Sequence, residues 1–101
     1  MTTTYSFSIL YVRDPQASAA FYAGLIGRPI VDSAPTFAML PLAEGVMLGL
    51  WRKDGVAPAA SAPPGGSEIA FTVEDAAAVD STCEEWRRKG VSIAQPPTGM
   101  D

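Results

Sequence analysis

The chain has 101 residues, enough for one domain or for two small halves sharing one core. With 48% apolar and 18% charged residues, it is composed to fold rather than to remain disordered. Its net charge of −4 comes without any basic stripe, which excludes the clustered Lys and Arg that a nucleic-acid partner requires.

Residues 5–12 alternate, so Phe7, Ile9 and Tyr11 share one face of a predicted strand and Ser8, Leu10 and Val12 share the other. Asp14 before Pro15 is a helix start: the carboxylate accepts orphan backbone N–H groups, and Pro fits the first turn. A helix is predicted from Pro15 to Ala23 or Leu25, ended by Gly24 and Gly27, with Phe21, Leu25 and Ala17 turned to the sheet. Three strands follow, over 30–32, 36–40 and 46–51, with turns at 33–35 and 43–45. In the last of them Met47, Gly49 and Trp51 share a face.

Residues 54–66, DGVAPAASAPPGG, have linker composition and no periodicity. Beyond them the alternation at 68–73 predicts a strand with Ile69, Phe71 and Val73 on one face and Glu68, Ala70 and Thr72 on the other. Asp75 caps a predicted helix over 76–89, in which Val79, Cys83 and Trp86 form a buried stripe and the charged cluster faces water. Glu84 with Arg88, and Glu85 with Lys89, are spaced for ion pairs, and Gly90 stops the helix. Residues 91–94 read as a strand.

The two halves repeat one plan: Leu10, Val12, Asp14, Ala17 and Leu25 fall 61 positions before Phe71, Val73, Asp75, Ala78 and Trp86. The predicted organisation is a first module over 1–53, a linker over 54–66 and a second module over 67–101 that lacks its final hairpin. The fold class is α+β: two tandem βαβββ modules forming a curved mixed sheet around a concave groove.

Chemistry is narrowed by what is missing. The chain has no histidine, so a Ser-His-Asp triad, a Cys-His pair and an HExxH zinc site are all impossible within it. Its single cysteine, Cys83, forms no internal disulfide and reads as packing. No apolar run approaches the roughly 18 residues of a membrane span, and the first residues, MTTTYSFS, are not a secretory signal. The expected location is cytoplasmic, with no membrane partner.

A strand, Asp-capped helix and Phe-Tyr start, carried by Leu10, Val12, Asp14, Ser18, Phe21, Tyr22, Leu25 and Gly27 and echoed by Phe71, Val73, Asp75, Gly90 and Val91, resembles the vicinal oxygen chelate superfamily. That group includes glyoxalase I, extradiol dioxygenases and bleomycin resistance proteins. The resemblance implies that metal ligands of the enzymes would fall on Phe7 and Glu68 in the first strands, and among Met47, Gly49 and Trp51 in the last strand of module one. Of these only Glu68 is a ligand for a hard metal.

The resemblance is therefore nearest to the metal-free, antibiotic-binding branch. It implies a homodimer that holds a planar aromatic molecule in its groove with no cofactor and no bond chemistry. The candidate ligand-binding residues are Phe7, Tyr11, Phe37, Met39, Met47, Trp51 and Glu68. The aromatics would stack, the methionines adapt, Glu68 meet an amine or ring N–H, and Gly49, Ala70 and Thr72 leave room. The bland readings are core filler for Met39 and Met47 and a sheet-end role for Trp51. The alternative is a metal-dependent glyoxalase-like lyase or dioxygenase, with Glu68 binding a divalent metal alongside ligands outside this chain. A third reading is an interaction module that takes no ligand.

Overall fold

Asp14 and Asp75 start the two helices in the same way. Asp14 Oδ1 accepts a hydrogen bond from the Ala17 amide at 3.1 Å, and Asp75 Oδ1 accepts one from the Ala78 amide at 2.8 Å. Each satisfies one of the orphan N–H groups of a first turn. In the computed structural model, which describes residues 2–63 and 66–99, these helices are α1 (Pro15–Ile26) and α2 (Ala76–Arg88). Pro64 and Gly65 of the expected linker lie outside the described residues.

The chain divides into two compact units, Met1–Ser67 and Glu68–Asp101. The first holds β1 (Phe7–Val12), α1, β2 (Asp32–Ala34), β3 (Phe37–Ala43) and β4 (Val46–Arg52), followed by one turn of 3-10 helix at Lys53–Gly55. The four strands form one open mixed sheet in the order β1-β4-β3-β2. β1 runs parallel to β4, and the other pairs are antiparallel. With two helices this is an α+β fold.

Turn chemistry fixes the strand ends. Pro35 and Thr36 make a tight turn that pairs Ala34 with Phe37, so β2 occupies 32–34 rather than the predicted 30–32. Gly45 takes φ 77° in the β3–β4 turn, a conformation glycine adopts without steric cost. β3 continues through Pro41 where a strand break was expected. Proline is tolerated because the β2 ladder ends at the Asp32–Met39 pair, so a missing N–H two residues on breaks no bond to β2. The β3–β4 register shifts between Pro41 and Ala43.

One face of the sheet is covered by α1, which packs on β3 and β4. Ala38, Leu40, Leu48 and Leu50 are fully buried there with Ala19 and Pro15 of the helix. Each leucine removed from water contributes about 1.5–3 kcal/mol. The helix meets the sheet through Pro15 and Ala19, not through the expected Ala17 and Phe21, which are exposed; Leu25 is half-buried. The sequence PQASAAFYAGLI is apolar nearly all round, so its periodicity does not choose a face.

The second unit departs further from expectation. Neither 68–73 nor 91–94 forms a ladder, and no strand occurs among its described residues. Alternation says which way side chains would point; a strand also needs a hydrogen-bonding partner, which no local pattern supplies. α2 ends in a Schellman motif: Gly90 takes φ 89°, its N–H donates to the Arg87 carbonyl at 3.0 Å, and the Val91 N–H donates to the Trp86 carbonyl at 3.0 Å. Lys89 pairs with Glu85 as spaced, whereas Glu84 takes Arg87 at 3.0 Å, one position short of the expected Arg88. The expected stripe is not buried: Cys83 and Trp86 are half-buried and Val79 is exposed. No helix among the described residues is long and apolar enough to cross a membrane.

Candidate functional site

The sheet has a second face, and α1 does not cover it. Strand pairing aligns the residues of that face in rows across the sheet. Tyr11, Trp51, Phe37 and Ala34 form one row; Ile9, Gly49, Met39 and Asp32 form the next; Phe7, Met47 and Pro41 form the third. Side chains directly opposed on neighbouring strands point the same way, so three aromatic rings of one row and the ring of Phe7 stand on a common surface.

On β1 these residues remain open. Phe7 is 43% exposed, Ile9 43% and Tyr11 44%, although each is a large apolar side chain. Three in alternation on one strand make a patch of the sort that takes a ligand or a partner. Towards β3 the surface dips into an open hollow of about 360 Å³ lined by Phe7, Ile9, Thr36, Phe37 and Trp51. The rings of Phe37 and Trp51 meet edge to face, centroids 5.8 Å apart and planes at 83°. The backbone N–H of Arg52 donates to the Thr36 carbonyl at 2.8 Å and ties the turn that carries Thr36 to β4.

The expected site residues fall into three groups. Phe7, Phe37 and Trp51 line the hollow. Tyr11, Met39 and Met47 share its face without lining it; Tyr11 pairs with Trp51, and the two methionines are half-buried between strands. Glu68 belongs to the second unit and is exposed there. Two lining residues were not anticipated. Ile9 shares the alternation of Phe7 and Tyr11, so the signal for it was present. Thr36 was expected to open the strand over 36–40, whose alternation sets it with Ala38 and Leu40 on the face opposite Phe37; it sits instead in the turn before β3.

Gly49 also differs from expectation. It was read as leaving room for a ligand, but the space above it is taken. A Cβ placed there would lie 3.0 Å from both Cε1 and Cζ of Phe37 and 3.3 Å from Cγ1 of Ile9. The glycine is a seat for the Phe37 ring, the pairing in which an aromatic side chain covers a strand glycine.

Chemically the hollow offers carbon. Its side-chain polar groups are the Thr36 hydroxyl and the Trp51 indole N–H, with no nucleophile beside a base. Among the described residues, no three of His, Cys, Asp and Glu come together in a way that could hold a metal ion. The donor set does not fit the divalent metal that the resemblance associates with this face, since the first-strand position carries the phenyl ring of Phe7. What such a surface can do is bury a flat apolar group against rings and offer it one hydroxyl.

Comparison with known proteins follows the same line. The model of the Glyoxalase/Bleomycin resistance protein/Dioxygenase superfamily matches residues 4–101. The solution NMR structure of protein ATC0852 from Agrobacterium tumefaciens is similar at 46% identity and a TM-score of 0.83, over 99% of this chain and 82% of that one. A glyoxalase/bleomycin resistance protein/dioxygenase from Nocardioides is similar at 26% identity and a TM-score of 0.79, over 99% and 70%. Lactoylglutathione lyase from Agrobacterium tumefaciens shares the fold at 19% identity and a TM-score of 0.67, over 93% and 75%. No curated protein matches the chain.

Proposed function

The chain belongs to the glyoxalase/bleomycin resistance protein/dioxygenase superfamily, and from that premise we propose that it binds a small planar aromatic molecule without a metal, as a homodimer. The observation that supports this reading is the hollow itself: an open concavity walled by Phe7, Ile9, Phe37 and Trp51, on the sheet face opposite α1. The ligand would lie against these rings, with the Thr36 hydroxyl as its polar contact. No bond is made or broken. Dimerisation is favoured because β1 is an edge strand of the open sheet and its side chains are apolar and exposed.

Magnitudes set the scale of the test. Burying about 200 Å² of ring surface at ~25 cal/mol/Å² contributes about 5 kcal/mol, and one or two ring contacts add about 1 kcal/mol each. With the cost of association still to be subtracted, binding is no tighter than roughly ten micromolar. Titrations should therefore reach about 1 mM, well above that limit.

The protein has two tryptophans, so Trp86→Phe leaves Trp51 as the only indole. Planar aromatic antibiotics and fused-ring heteroaromatics should quench its fluorescence saturably. No quenching across such a panel would remove the reading. The rival, a lyase or dioxygenase working through a divalent metal, is suggested by the names of relatives. Elemental analysis of the purified protein separates the two: a transition metal at one equivalent per chain, lost in Glu68→Ala, would favour the rival.

A further inference from the structure

We infer that Gly49 is a specificity-determining position: by having no side chain it seats the Phe37 ring against β4 and so sets the width of the hollow, and with it the size of aromatic ligand admitted. The inference rests on the aromatic-binding reading above and names what that site selects.

The geometry is asymmetric in a useful way. The atoms that a methyl group at position 49 would meet are Cε1 and Cζ of Phe37, at 3.0 Å, and Cγ1 of Ile9, at 3.3 Å. All three are side-chain atoms; no backbone atom is among them. Side chains can yield where a strand cannot, so Gly49→Ala should move the ring and leave the sheet intact. Gly49 is itself buried and sits mid-strand, paired with Ile9 on one side and Met39 on the other. The ring therefore cannot retreat towards β4. It must move off the sheet, towards the open side where the hollow lies, and it must alter its edge-to-face contact with Trp51. A single methyl that the ligand never touches would thus narrow the site.

The effect falls unevenly on ligands of different size. A two-ring ligand leaves slack that a displaced ring can take up, whereas a three-ring ligand needs the full width. One methylene in an apolar pocket discriminates by about tenfold or more, and a displaced ring wall should do the same.

The experiment uses the full chain carrying Trp86→Phe, with quinoline and acridine as the two probes and Trp51 fluorescence as the readout. Gly49→Ala should weaken acridine binding about tenfold while quinoline changes by no more than about threefold. Without ligand, the variant should shift the Ile9 δ1-methyl resonance, since Cγ1 of Ile9 and the Phe37 ring share the space above Gly49. Phe37→Leu alone shows the effect of losing the ring, and adding Gly49→Ala to it should leave the acridine-to-quinoline ratio unchanged, because without the ring there is nothing to crowd.

If Gly49→Ala does not fold, the double variant must recover the fold, and its failure to do so would overturn the inference. Equal weakening of both probes, or none, with the methyl resonance unmoved, would also overturn it while leaving aromatic binding standing. If neither probe binds the parent chain, the aromatic-binding reading falls and this inference falls with it.

Discussion

Two residues on adjacent strands divide the labour of the sheet. Leu48 faces α1 and is fully buried, while Phe7, one position from its strand partner Ser8, faces away and is 43% exposed. Leu48→Ala should cost about 2–5 kcal/mol, because it leaves a cavity that the helix-covered face cannot close. Phe7→Ala should cost about 1–2 kcal/mol in stability, since nearly half of the residue is already in water, yet weaken aromatic binding several-fold. Urea denaturation measures the first quantity and Trp51 fluorescence the second. A Phe7→Ala variant as unstable as Leu48→Ala would make Phe7 a core residue and remove it from the site. The side assignment of both residues was legible in the alternation of β1 and β4, because the strand period is two and needs no partner to be read. Thr36 was misread, because the turn falls at 35–36 rather than at 33–35 and takes it out of the alternation expected for 36–40; nor was the closure over Gly49 legible, since it depends on a ring from the next strand.

At the scale of elements, what lies within a few residues was readable and what depends on distant chain was not. Both N-caps, and Gly90 as the stop of α2, follow from local hydrogen bonding that the sequence spells out. The buried face of α1 does not: with apolar residues on every side, the sheet chooses Pro15 and Ala19 over Phe21, which stays 49% exposed. The predicted strands at 68–73 and 91–94 fail for the same cause, since alternation cannot name a ladder partner. The caps give a sharp expectation. Asp75→Ala removes the acceptor of the Ala78 amide and should cost about 1 kcal/mol. Gly90→Ala forces a side chain into the left-handed region and should cost about 1–2 kcal/mol. Both losses should appear in helical circular dichroism on heating. A melt unchanged in either variant would mean that α2 is held by something other than its ends.

For the whole molecule, the question is where stability resides. Among the described residues, every fully buried side chain belongs to the first unit, in α1, β3 and β4, and α2 buries none. α2 has 13 residues, and an isolated helix of that length is marginal in water however well it is capped. Two exposed ion pairs, Arg87 with Glu84 and Lys89 with Glu85, add only a few tenths of a kcal/mol each. The repeat in sequence therefore does not make the units equal in energy: the same Asp-capped start leads in one case to a helix laid on leucines and in the other to a helix whose apolar side chains stay partly in water. Amide hydrogen exchange should show the difference. The amides of Leu40, Leu48 and Leu50 should exchange only through global unfolding, whereas those of α2 should open locally and exchange at least about tenfold faster. Protection in α2 equal to that in β4 would refute this assignment. Protection in α2 that rises with protein concentration would instead assign its half-buried Cys83 and Trp86 to a contact between copies, and would extend the proposed dimer beyond the sheet edge.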